Sequence, residues 1–197
     1  MNKKFEFTGE TKAILGNTLH RIRALISFGE VGAGELGGWI EKEENLDASG
    51  NAWVYGNAQV YGNAQVSGNA QVYGNARVSG NARVYGDARV SGNAWVCGNA
   101  RVYGDARVDG DARVYKCGAI FWISNVGSRD DTATFFACRD KKIKVIVGCF
   151  FGDLDEFAAA VQKTHGDNTH AKVYRLAIEM AKERIKMDDM PEESNDG

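Results

Sequence analysis

The chain has 197 residues, 44% of them hydrophobic, with 24 glycines, one proline and a formal net charge of -2. That length holds one or two domains with a sizeable core, and a charge this close to balance excludes a general attraction to long nucleic acid. No apolar run approaches eighteen residues, which excludes a spanning helix, and Met1-Asn-Lys-Lys-Phe-Glu-Phe7 lacks the apolar core of a signal peptide, so the expected location is cytoplasmic.

Residues 1–45 are expected to form N-terminal strands and a cap. Phe5 and Phe7 alternate with polar neighbours, and Ile22, Ala24, Ile26 and Phe28 share one side of a second extended stretch. Gly32-Ala-Gly34-Glu-Leu-Gly37 matches a GxGxxG phosphate loop literally. That fingerprint requires a helix immediately after it, whereas Gly38-Trp39-Ile40 leads toward a repeat. Leu46 and Ile40 lie six and twelve residues before Ala52. On that count they occupy alanine positions of a degenerate first turn, with Trp39 and Ile40 covering its open end.

Residues 46–115 repeat a six-residue unit, Gly-Asn/Asp-Ala-x-Val-x. Eleven valines fall six apart from Val54 to Val114, each preceded at two residues by alanine. Six is not a helical period. In an extended segment, Ala and Val two apart point the same way, and the Gly-Asn or Gly-Asp pair supplies the positive φ of a corner. One such unit cannot bury its own Val and Ala, but stacked units can. These residues resemble the hexapeptide repeat of left-handed parallel β-helices, in which three units make one triangular turn. About four turns are then expected. The resemblance departs at the residue after each Val, often small in that family and here frequently Tyr, as at Tyr85 and Tyr103. The layout is also similar to uncharacterised phage and prophage proteins labelled hexapeptide transferase or polymer-forming protein.

Three units per turn stack residues eighteen apart. Arg77, Arg83, Arg89, Arg101 and Arg107 then project outward from the three sides, denser toward the C-terminal turns. Their stems can simply cover β surface while the guanidinium groups stay wet. Alternatively, sides of adjacent subunits form grooves in which Arg meets Tyr85 and Tyr103, an arrangement suited to phosphates on a flat base. In acyltransferases that share the repeat, a histidine near the coil acts as base and a loop interrupts the turns. Here the repeat is uninterrupted and contains no histidine.

Residues 116–187 are expected to be an α+β domain, a three-stranded meander (119–124, 132–138 and 143–151) followed by two helices. Asp153 and Glu156 imitate a capping box, and Gly166 ends the first helix. Val173, Tyr174, Ala177, Met180, Ala181 and Ile185 line one flank of the second. Residues 188–197 read as a disordered acidic tail. The turn Ser128-Arg-Asp-Asp-Thr132 serves either as a plain connection or as a polar cluster in which Arg129 holds an anion. Cys149 and His165 form a candidate nucleophile and base with no identifiable third member. Cys97, Cys117, Cys138 and Cys149 have no metal-ligand spacing and read as free thiols; no cofactor or metal is expected.

The expected fold is therefore mainly β, a left-handed parallel β-helix with a short N-terminal cap and a C-terminal α+β domain. The expected function is non-enzymatic: a homotrimer, by resemblance of phage origin in a bacterial host, that sequesters a small anionic, nucleotide-type ligand such as a host immune signal. The candidate residues are Arg77, Arg83, Arg89, Arg101, Arg107, Tyr85, Tyr103 and Arg129. Two alternatives stay open: a scaffold or inhibitor binding a host protein through the C-terminal domain, and an acyltransferase-like or Cys/His enzyme.

Overall fold

The structure is a computed structural model and describes residues 3–187; the expected acidic tail lies outside the described residues. The chain is a repeat β-helix. An N-terminal group of strands, β1 (Phe5–Ile14), β2 (Asn17–Ala24) and β3 (Leu36–Ile40), leads into a coil of short strands. These are β4 (Trp53–Val54), β5 (Gln59–Val60), β6 (Gln65–Val66), β7 (Gln71–Val72), β8 (Arg77–Val78), β9 (Arg83–Val84), β10 (Arg89–Val90), β11 (Trp95–Val96), β12 (Arg101–Val102), β13 (Arg107–Val108) and β14 (Arg113–Val114). They form three parallel walls, β4-β7-β10-β13, β5-β8-β11-β14 and β6-β9-β12.

Every repeat Ala and Val, from Ala52 to Val114, is fully buried. The corners turn through left-handed glycines such as Gly68, at φ +68°, which stacks on the backbone of Gly86 one turn above. Asparagines at the corners bond upward through side-chain amides. Asn51 donates to Asn69 at 3.0 Å, and Asn69 donates to the carboxylate of Asp87 at 2.9 Å.

The first turn differs from the expectation. Ile40 pairs with Val60 and Leu46 with Val66, so both sit at valine rather than alanine positions, twenty residues below their partners instead of eighteen. The two extra residues lie in the corner between Asp47 and Asn51, whose amides bond to the carbonyls of Val66 and Gly68. Lys4 closes this widened corner. Its ammonium donates to the carbonyls of Ala52 at 2.8 Å, Asp47 at 3.2 Å and Ser49 at 3.5 Å, and lies 4.4 Å from the Phe28 ring centre.

The outward aromatic that the N-terminal strands bury is Trp53 rather than Trp39. Trp53 is fully buried beneath Phe5 and Phe28, because the N-terminal strands fold over its wall and Gly37 leaves room where a Cβ would stand 2.7 Å from the indole. Trp39 instead stays on the outer face under the ammonium of Lys12, 4.3 Å from its ring centre. β2 ends at Ala24, which leaves Ile26 outside the buried row at 40% exposure. The glycine-rich stretch before β3 opens onto that strand and not onto a helix.

Beyond the coil, β15 (Ile120–Val126), β16 (Asp131–Ala137), β17 (Ile143–Val147) and β18 (Phe150–Asp153) form an antiparallel meander in that order. The sheet has four strands, not three, because Gly148 at φ +56° breaks the expected third strand into a hairpin. β16 caps the last turn of the coil: Ala112 bridges Cys138, the Arg139 amide donates to the Asp111 carbonyl, and the Arg107 amide donates to Thr134 Oγ1. An exposed coil end would present unpaired strand groups, so the cap satisfies a general need.

Two helices follow, α1 (Leu154–His165) and α2 (Thr169–Arg184). Asp153 caps α1 through the amides of Asp155 and Glu156, and Glu156 returns a bond to the Asp153 amide. On α2 the buried flank includes Ile178, whereas Met180 is 52% exposed. The helix is rotated so that Tyr174, Ala177, Ile178 and Ala181 face the sheet. No helix of the described residues is long and apolar enough to cross a membrane.

Candidate functional site

Register decides where each outward side chain goes. On the third wall Arg83 lies beneath Arg101, and the corner residues that follow, Tyr85 and Tyr103, stack face to face with ring centres 5.0 Å apart and 8° between planes. Trp122, on β15, meets Tyr103 edge-on at 4.5 Å and 88°. The C-terminal sheet thus sets a third aromatic against the tyrosine column, and a cleft of about 450 Å³ opens between them. Arg101 and Arg184 line the same cleft.

Among the described residues the Arg101 side chain makes no hydrogen bond or ion pair. Arg184, in the last turn of α2, donates to the Cys117 carbonyl at 3.4 Å. A fixed aromatic surface beside two guanidinium groups can receive a flat ring by stacking and an anionic group through charge-assisted bonds. The thiol in the cleft, Cys117, donates to the Asn99 carbonyl at 3.5 Å. Below Tyr85 the same column holds Ser67, so the ring stack ends there.

The other expected residues are distributed elsewhere. Arg83 lies one turn below Arg101 and does not line the cleft. Arg89 and Arg107 pair on the first wall and line a hollow of about 250 Å³ with Tyr73, Asp109 and Phe151; Arg107 reaches the Gly148 carbonyl at 3.4 Å. Arg77 lies on the second wall near Lys12, whose ammonium is pushed below its ordinary value by burial and then by the charges of Arg77 and Arg21. Arg129 lies in the C-terminal domain, where it shares a separate cavity with Cys149 and His165.

The eight residues therefore do not make one site: Tyr85, Tyr103 and Arg101 come together, as do Arg89 and Arg107. Trp122 and Arg184 were not legible as partners, because a fold-back of the chain over the coil brings them in. The single usable signal was the apolar run Ile120-Phe121-Trp122-Ile123 in a strand that follows the repeat.

All four cysteines are free. Burial pushes the Cys97 thiol up to about 11 and the Cys138 thiol up to about 12. No group of His, Cys, Asp and Glu among the described residues is arranged to hold a metal ion.

A family model described as the YdcK beta solenoid repeat matches residues 70–84, 82–98 and 100–116. The likeness covers the coil from Ala70 to Lys116 and neither flanking region. No curated protein matches the chain at a significant level.

Proposed function

We propose that the protein is a non-enzymatic binding protein that sequesters a small anionic ligand with a flat ring, of the nucleotide type, in the cleft between the third wall and β15. The observation that carries this reading is the convergence of Tyr85, Tyr103 and Trp122 with the unpaired guanidinium of Arg101 in one cleft. The ring would lie against the aromatics and its anionic group against Arg101 and Arg184. Base stacking on aromatic side chains is worth about 1–3 kcal/mol and a charged hydrogen bond about 1.5–3 kcal/mol. The two together suit a small ligand rather than a polymer. The homotrimer rests on resemblance alone.

Native mass spectrometry of the purified protein, and titration with AMP, GMP and UMP followed by tryptophan fluorescence, test the proposal. The expected result is a bound species of nucleotide mass released unchanged by heating, with affinity weakened about tenfold or more by Arg101→Ala, the size of one charged hydrogen bond. Binding that is unaffected by Arg101→Ala and by Trp122→Ala would remove the cleft from consideration, and release of an altered molecule would replace sequestration with catalysis.

A further inference from the structure

A second cavity, also of about 450 Å³, lies within the C-terminal domain and shares no lining residue with the cleft above. Three connections meet around it: the turn between β15 and β16, the Gly148-Cys149 link between β17 and β18, and the last turn of α1. Its walls are held by close packing at glycine. A Cβ at Gly127 would collide with the phenol of Tyr174, and one at Gly148 would stand 3.0 Å from the Asp131 carboxylate.

The cavity is two-sided. Its floor is apolar, built from Phe150, Phe157 and Val161, with the two phenyl rings 5.1 Å apart. Its rim carries Arg129, Asp131, Cys149 and His165. Among the described residues the side chains of Arg129, Asp131 and Cys149 make no hydrogen bond or ion pair, so their polar atoms are available to a bound molecule. A floor of this kind with a few convergent polar groups is the usual form of a small-molecule site.

The charges narrow the choice. Arg129 offers a fork for one carboxylate. Asp131 on the same rim, and the carbonyl end of α1 at Thr164 and His165, both oppose further negative charge. A doubly charged phosphate is therefore disfavoured against a singly charged head. We propose that this cavity is a second binding site, for a small monocarboxylic acid with an aromatic or branched apolar body, the carboxylate meeting Arg129 and the body lying on Phe150, Phe157 and Val161.

Cys149 is exposed at the mouth and reports occupancy. The test measures the rate of its alkylation by iodoacetamide in the full chain by peptide mass spectrometry, with and without millimolar 3-phenylpropionate. Cys138, fully buried, stays unlabelled in any folded sample and so verifies that each variant is folded. The expected result is slowing by 3-phenylpropionate, with protection weakened about fivefold in Arg129→Ala, the upper range for one exposed ion pair. Arg129→Lys should retain part of it, and uncharged 3-phenylpropanol should protect weakly. Equal rates with and without 3-phenylpropionate, or protection undiminished in Arg129→Ala, would overturn the site. Phenyl phosphate protecting as well as 3-phenylpropionate would overturn the assignment of a singly charged head.

Discussion

Gly68 separates two demands that the repeat makes on its corners. Its φ of +68° costs an L-residue about 1–2 kcal/mol, and an added Cβ would also stand 3.1 Å from the Gly86 amide nitrogen. Gly56 has the same kind of φ, +56°, but nothing lies within 4 Å of an added Cβ. Gly56→Asn should be nearly neutral, because Asn enters the left-handed region readily, whereas Gly68→Asn should lower stability by more than about 1 kcal/mol. Urea denaturation of the two variants measures the difference. Lys4 makes a different prediction. Burial lowers its pKa to about 8, against 10.5 for an ordinary lysine, so the unfolded chain holds the proton more tightly. Its contribution to stability therefore rises as pH climbs from about 8 toward 10.5. Cys97 and Cys138, whose folded values lie above 9, act in the opposite direction above pH 9. The clean readout is thus the difference between wild type and Lys4→Met across that range, with Lys4→Met the less stable near neutrality by about 1–3 kcal/mol because three carbonyls lose their donor.

At the scale of single elements, the α1 cap carries a pH dependence of known sign. Bonds from the Glu156 amide, then from Lys142, hold the Asp153 carboxyl below its ordinary value. The stabilisation is present at neutral pH and disappears as pH falls through that lowered value. Asp153→Ala should melt earlier than wild type at pH 7, and the two should converge once pH falls below the lowered value of the Asp153 carboxyl, in thermal scans followed by circular dichroism. This cap was visible in the residues, as were the inward Ala and Val of every coil strand, because both rest on spacing within a few positions. Elements set by distant partners were not. Met180 has the spacing of a buried residue, yet α2 buries Ile178 and leaves Met180 exposed. Trp53 has the spacing of an outward residue, yet the N-terminal strands cover it. The displaced register of Ile40 and Leu46 depends on two residues in a corner with no periodic mark.

Across the whole molecule, both ends of the coil are closed by other parts of the same chain, β1 to β3 at one end and β16 at the other. A chain ending at Tyr115 would leave the last turn without its partners Thr134, Cys138 and Arg139. It should form larger species than the full chain in sedimentation velocity. The cleft is likewise a product of the whole arrangement: the repeat positions Tyr85, Tyr103 and Arg101, but only the descent of β15 beside them adds Trp122. The coil was therefore the readable half of the candidate site, and the lid over it was not.

Stacking in steps of eighteen also quantises the lengths this coil can have. Excising residues 67–84 would rejoin like to like, since Val66, the last residue kept, and Val84, the last removed, lie on the same wall, and both termini would keep their azimuth. Excising one six-residue unit would preserve every inward Val yet swing one end by a third of a revolution relative to the other, parting Trp122 from neither tyrosine but moving the N-terminal strands to a different face. Insertions and losses in such a chain should therefore be tolerated in whole revolutions wherever the relative bearing of its two ends matters.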